Sequence, residues 1–112
     1  MFQTATGSRT VNLYNNNWIF TNAISGVIAN ANNANYVVNM KNNIFYKVAG
    51  GLSYTIASGS TGLTYENNCA YNMSGVPTGS NNITSDPLFI DFAGGNYNLR
   101  PTSPCIDTGT IV

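Results

Sequence analysis

The sequence predicts an all-β fold: a short solenoid of about three stacked parallel coils, finished by a closing C-terminal segment. Two observations carry this prediction. A seven-residue block recurs without gaps at residues 14–20, 40–46 and 65–71, with offsets of 26 and 25 residues. A second marker, Ser25-Gly26-Val27, Gly50-Gly51-Leu52 and Ser74-Gly75-Val76, keeps the same phase. Two independent markers at one period identify an internal repeat.

Composition decides which kind of repeat this is. Helical repeats need apolar residues at i, i+3 and i+4 among good helix formers. The blocks here hold β-branched and aromatic residues in short runs, broken by Asn pairs, Gly and Ser, which is strand and bend chemistry. The fixed leucines of a leucine-rich repeat are missing. A period near 25 residues suits one turn of a β-helix, each coil about 4.8 Å above the last. With 112 residues, the chain reads as a single domain with a modest core. Only 7% of residues are charged, but 43% are hydrophobic and 12% aromatic, which predicts folding rather than disorder.

Along the chain, residues 1–10 are the candidate N-terminal cap, 11–84 the coils and 85–112 the closing segment. The first ten residues lack the basic and apolar regions of a signal peptide. Within the coils the Asn pairs have a physical role. A sharp bend wants a residue near the left-handed region, which Asn tolerates, and stacked Asn amides can hydrogen-bond along the axis. The gapless alignment gives the columns Asn16/Asn42/Asn67 and Asn17/Asn43/Asn68, at least one of them a buried structural ladder. It also stacks Glu66 on Lys41 and Asn15, an exposed ion pair worth about 0–1 kcal/mol.

The next three columns are Trp18/Ile44/Cys69, Ile19/Phe45/Ala70 and Phe20/Tyr46/Tyr71. Alternation sends the middle column to one face and the other two to the opposite face. Both faces are apolar or aromatic, so the outer one is expected to be covered by a loop, another chain or a ligand. Trp18, Phe20, Ile44, Tyr46 and Tyr71 are therefore the candidate ligand or partner face.

The tail carries a resemblance. Asn81-Asn-Ile-Thr-Ser-Asp-Pro-Leu-Phe-Ile-Asp91, Asn96-Tyr-Asn-Leu-Arg100 and Ser103-Pro-Cys-Ile-Asp-Thr-Gly109 resemble the DPLF…Y-x-L…SPxIDxG ending of bacterial pectin-lyase-like proteins. The resemblance implies a right-handed parallel β-helix with a C-terminal closure, in a group often secreted or on the cell surface. It does not imply lyase activity, because function resides in sites rather than folds. Asp86-Pro87 reads as a turn, Asp107 as a turn acceptor, and Leu88, Phe89, Tyr97, Leu99 and Ile106 as residues packing over the last coil.

The search for chemistry excludes more than it finds. Net charge is zero, and Arg9, Lys41, Lys47 and Arg100 are scattered, so no cationic cluster exists for nucleic acid. No apolar run approaches the roughly 18 residues of a membrane span. There is no His, which removes the usual nucleophilic triads. Cys69 and Cys105 are read first as free core thiols, with a disulfide as the alternative. The acids are Glu66, Asp86, Asp91 and Asp107, one in the coils and three in the tail, too dispersed for a glycosidase pair or a signalled calcium site. The Asn-X-Ser/Thr matches at Asn72 and Asn82 arise easily in so Asn-rich a chain. No catalytic residue, metal or cofactor is assigned. Two functions remain: a structural or protein-interaction module that self-associates as a homo-oligomer, and a carbohydrate-binding module or remnant of a polysaccharide-processing protein.

Overall fold

A computed structural model describes residues 9–21, 26–30, 36–48, 54–58 and 62–111. The strands are β1 (Arg9–Tyr14), β2 (Asn17–Phe20), β3 (Gly26–Asn30), β4 (Tyr36–Lys41), β5 (Ile44–Lys47), β6 (Tyr54–Ser58), β7 (Leu63–Glu66), β8 (Cys69–Tyr71), β9 (Phe89–Asp91) and β10 (Asn96–Leu99). The described residues are all-β with no helix, and none forms a helix long and apolar enough to cross a membrane. Three parallel sheets, β1-β4-β7, β2-β5-β8 and β3-β6, pair each strand with its counterpart one repeat later. This stacking is compatible with a short β-helix.

Period-2 alternation builds the core. Leu13, Val38, Met40 and Tyr65 come from the first sheet, Phe45 and Ala70 from the second, and Ile28, Ile56 and Ala57 from the third. They meet in one buried cluster. Val38, Met40, Phe45 and Ile56 are fully buried, each contributing about 1.5–3 kcal/mol of transfer free energy. Trp18 stacks on Phe45 at 6.0 Å and Phe20 on Tyr54 at 4.0 Å, so both rings pack against this core.

The register corrects the sequence alignment in the first repeat. Leu13 pairs with Met40, Tyr14 with Lys41, Asn17 with Ile44 and Trp18 with Phe45, an offset of 27 rather than 26 residues. The run Asn15-Asn16-Asn17 contains two Asn pairs, and the fold uses Asn15-Asn16. A one-residue slip turns every side chain to the other face. The alternative register would pair Asn12 with fully buried Val38; the observed one pairs Val11 with Val38 and leaves Asn12 exposed, accepting a 2.9 Å bond from Asn39 Nδ2. Aligning Val11-Asn12-Leu13 with Val38-Asn39-Met40 would have revealed this in the sequence.

The second marker is out of phase as well. Gly26 pairs with Tyr54, and Thr55 bridges Ser74; Ser25, Gly50, Gly51 and Leu52 lie outside the described residues. Residues 1–8 of the expected cap also lie outside them, while Arg9 and Thr10 belong to β1.

A shortened fourth repeat ends the stack. Asn81-Asn82-Ile83 repeats the tripeptide Asn42-Asn43-Ile44, and Ile83 bridges Cys69 in parallel. The chain reaches this point by passing directly over the Tyr65 carbonyl at Gly79, where any Cβ would collide with that oxygen. Beyond it, β9 and β10 form an antiparallel pair.

Candidate functional site

The two Asn columns behave differently. The inner one is Asn16, Asn43, Asn68 and Asn82. Asn43 Oδ1 accepts from the Asn16 backbone N–H at 3.1 Å and from Asn16 Nδ2 at 3.3 Å. Its own N–H and Nδ2 donate to Asn68 Oδ1 at 2.9 and 3.0 Å, and Nδ2 also donates to the Leu13 carbonyl at 2.7 Å. Both amide protons and the amide oxygen are thus used, which satisfies a fully buried Asn. The pattern repeats one level on. Asn68 N–H donates to Asn82 Oδ1 at 3.0 Å, Asn68 Nδ2 to the Met40 carbonyl at 2.9 Å and Asn82 Nδ2 to the Tyr65 carbonyl at 3.0 Å. Asn17, expected in the ladder, instead sits exposed at the start of β2.

The outer column is Asn15, Asn42 and Asn67, with φ of 59°, 59° and 55°. These residues make the left-handed bends. Two also hold the C-terminal tail: Asn42 exchanges hydrogen bonds with Thr110, donating at 2.6 Å and accepting at 2.7 Å, and Asn67 Nδ2 donates to the Thr108 carbonyl at 2.8 Å.

The outer face of β2-β5-β8 is covered by this same chain. Tyr46 stacks on Tyr71 at 5.6 Å and meets Phe89 at 5.3 Å and Phe92 at 4.8 Å. Phe89 and Phe92 in turn touch Tyr97 at 5.5 and 5.6 Å. Burial, then the Asp86 carboxylate and Tyr71, push the Tyr46 phenol above its ordinary pKa. Cys69, on the same face, forms a disulfide with Cys105 across 36 residues, which corrects the expectation of free core thiols. The closing segment therefore packs against the side of the stack, where Phe89 is buried; Ile106 stays 38% exposed.

These placements divide the candidate face. Trp18 and Phe20 turn toward the core, whereas Ile44, Tyr46 and Tyr71 lie on the covered side. No open platform of rings joins all five. The one-residue slip explains the split, because Trp18 stacks on Phe45 rather than on Ile44.

A cleft of about 270 Å³ lies beside Tyr46, lined by Asp86, Asp91, Phe92 and Arg100. Its charged groups are tied into local backbone. Asp86 Oδ1 accepts from Leu88 N–H at 2.9 Å, Asp91 Oδ1 from Gly94 N–H at 3.0 Å, and Arg100 Nε donates to the Phe89 carbonyl at 3.1 Å. Asp86, read from the sequence as part of a turn, is the residue that accepts from a backbone N–H here. At Asp107 the turn is held by others: Ser103 Oγ accepts from Cys105 N–H and Thr108 Oγ1 donates to the Cys105 carbonyl, while Asp107 supplies a φ of 58°. Lys41 and Glu66 form the expected ion pair at 3.3 Å, stacked on Tyr14 rather than Asn15. Among the described residues no three His, Cys, Asp or Glu side chains gather to hold a metal ion.

Comparison of the chain with protein-family models, curated proteins and solved structures found no match.

Proposed function

We propose that the chain is a short right-handed parallel β-helix acting as a structural, self-associating interaction module. The observation that carries this reading is the set of unpaired strand edges at the first-repeat end of the stack. At the other end the sheets continue only as single bridges, Ser74 on β6 and Ile83 on β8, among the described residues. Among the described residues, no strand pairs with the outer edges of β1, β2 or β3. Open parallel edges present unpaired N–H and C=O groups, a ready template for another chain. The tail resemblance to pectin-lyase-like proteins supports the handed β-helix. The covered outer sheet moves the expected contact from the face of the stack to its end.

Multi-angle light scattering over a hundredfold range of concentration tests the proposal. A mass that rises from one chain to two or more is expected. A single-chain mass throughout overturns it.

A further inference from the structure

The inner Asn ladder has a direction. At each level the backbone N–H and Nδ2 of one Asn donate to Oδ1 of the next Asn toward the C-terminus: Asn16 to Asn43, Asn43 to Asn68 and Asn68 to Asn82. The neighbouring backbone column runs the other way. Ile44 N–H donates to the Asn16 carbonyl at 2.9 Å, Cys69 N–H to Asn43 at 2.8 Å and Ile83 N–H to Asn68 at 2.8 Å.

A directional ladder ends in two unlike surfaces. At the first level, among the described residues, Asn16 Oδ1 accepts nothing and Asn17 N–H donates to nothing. At the last level, among the same residues, Asn82 N–H, one Asn82 Nδ2 proton and the Asn82 carbonyl are unused, and Thr84 N–H is unpaired. Thr108 and Thr110 follow the outer column from Asn67 down to Asn42, and none of the described tail residues bonds to these unused Asn82 and Thr84 groups. An open depression of about 400 Å³ lies between Asn81, Asn82 and Ile83 on one side and the tail residues Asp107, Thr108 and Gly109 on the other.

We infer that copies of this chain associate head to tail, the Asn82 level of one chain continuing the ladder onto Asn16 of the next. The partial charges fit in this sense alone. Asn82 N–H and Nδ2 meet the Asn16 oxygen, and Asn17 N–H meets the Asn82 carbonyl, reproducing the bonds seen inside the stack. Head-to-head docking sets two Asn16 oxygens against each other. Head-to-tail contacts are heterologous and extend into open chains of subunits instead of closing as a two-fold dimer. The inference rests on the self-association proposed above and adds its direction.

Cysteine trapping tests it. Asn15 and Asn81 are both exposed bend residues one place before the ladder. A head-to-tail stack puts their Cα atoms about 4.8 Å apart, within disulfide reach. An equimolar mixture of Asn15→Cys and Asn81→Cys chains, oxidised with copper phenanthroline, is expected to give a covalent dimer that neither variant gives alone. A dimer from Asn15→Cys alone, or none from the mixture while light scattering reports association, overturns the direction and leaves self-association standing. A single-chain mass overturns both.

Thr84→Pro supplies an independent check, because it removes an outward N–H that no described residue accepts. It is expected to raise the concentration for half-association about tenfold or more with an unchanged melting temperature. Unchanged association overturns the inference.

Discussion

Asn42 and Asn43 are adjacent, chemically identical, and employed for different reasons. Asn43 is wholly buried and spends its amide on three other repeat positions, Asn16, Asn68 and Leu13. Asn42 is half-buried, adopts a φ of 59° and, among the described residues, hydrogen-bonds through its side chain to the tail. One position needs the amide and the other needs the backbone angle. Residue type alone therefore does not say what an Asn contributes in a stacked fold; the level of burial and the sign of φ do.

The sharpest way to break this comparison is to exchange what each position lacks. Asn43→Ala is expected to cost about 2–3 kcal/mol in urea unfolding, because the buried Leu13 carbonyl and Asn68 Oδ1 lose their Asn43 Nδ2 partner. Asn43→Gly should be no better. At Asn42 the order reverses: Ala is expected to cost about 1–2 kcal/mol for its left-handed backbone, and Gly less than Ala. Equal ranking of Ala and Gly at the two sites would dissolve the distinction.

Next in size is the tail's attachment. Replacing both Cys69 and Cys105 by Ala is expected to cost about 2–4 kcal/mol, given the 36-residue separation. In that background Asn42→Gly should cost less than in the disulfide-bonded chain, since Thr110 is no longer delivered to it. Additive losses in a double-mutant cycle would mean that the tail holds the outer column by itself.

The smallest effect concerns a polar group the inner core does not satisfy. Tyr65 Oη is buried without a hydrogen-bond partner among the described residues, and burial pushes its pKa upward. The folded chain then keeps a proton that the unfolded chain loses above about pH 10. Stability is complete below that pH and falls as pH rises further. Tyr65→Phe is expected to raise stability by up to about 1 kcal/mol at neutral pH and to flatten the alkaline fall between pH 9 and 11. An unfolding midpoint independent of pH in the parent chain would count against this account.

Much of the fold was legible from short-range chemistry. Alternating Val38-Asn39-Met40 reads as a half-buried strand, and Asn42-Asn43 as a bend with an amide to stack. The first-repeat register was not legible from the Asn block, because Asn15-Asn16-Asn17 satisfies the pattern twice. Only the demand that Asn12 stay out of the core separates the two choices. Asn81-Asn82-Ile83 repeats Asn42-Asn43-Ile44 in the sequence, but the step from Asn68 to Asn82 is 14 residues instead of the 25 from Asn43 to Asn68, so it falls outside the period.

The candidate face divides between two sides for the same reason. A slip of one residue moves Trp18 and Phe20 from the outer side to the core side, and no local propensity distinguishes these outcomes. That the outer sheet required a cover followed from two apolar faces on one strand. What covers it depended on contacts far along the chain, Tyr46 with Phe92 and Cys69 with Cys105.

By itself, then, the sequence determined an all-β chain with a repeat near 25 residues, Asn at its bends and a sheet too apolar to face water. These are properties of residues within a few positions of one another. The tertiary structure decided which of the two first-repeat Asn pairs is used and the identity of the cover. Each depends on which distant groups are buried together, and burial is a property of the whole stack.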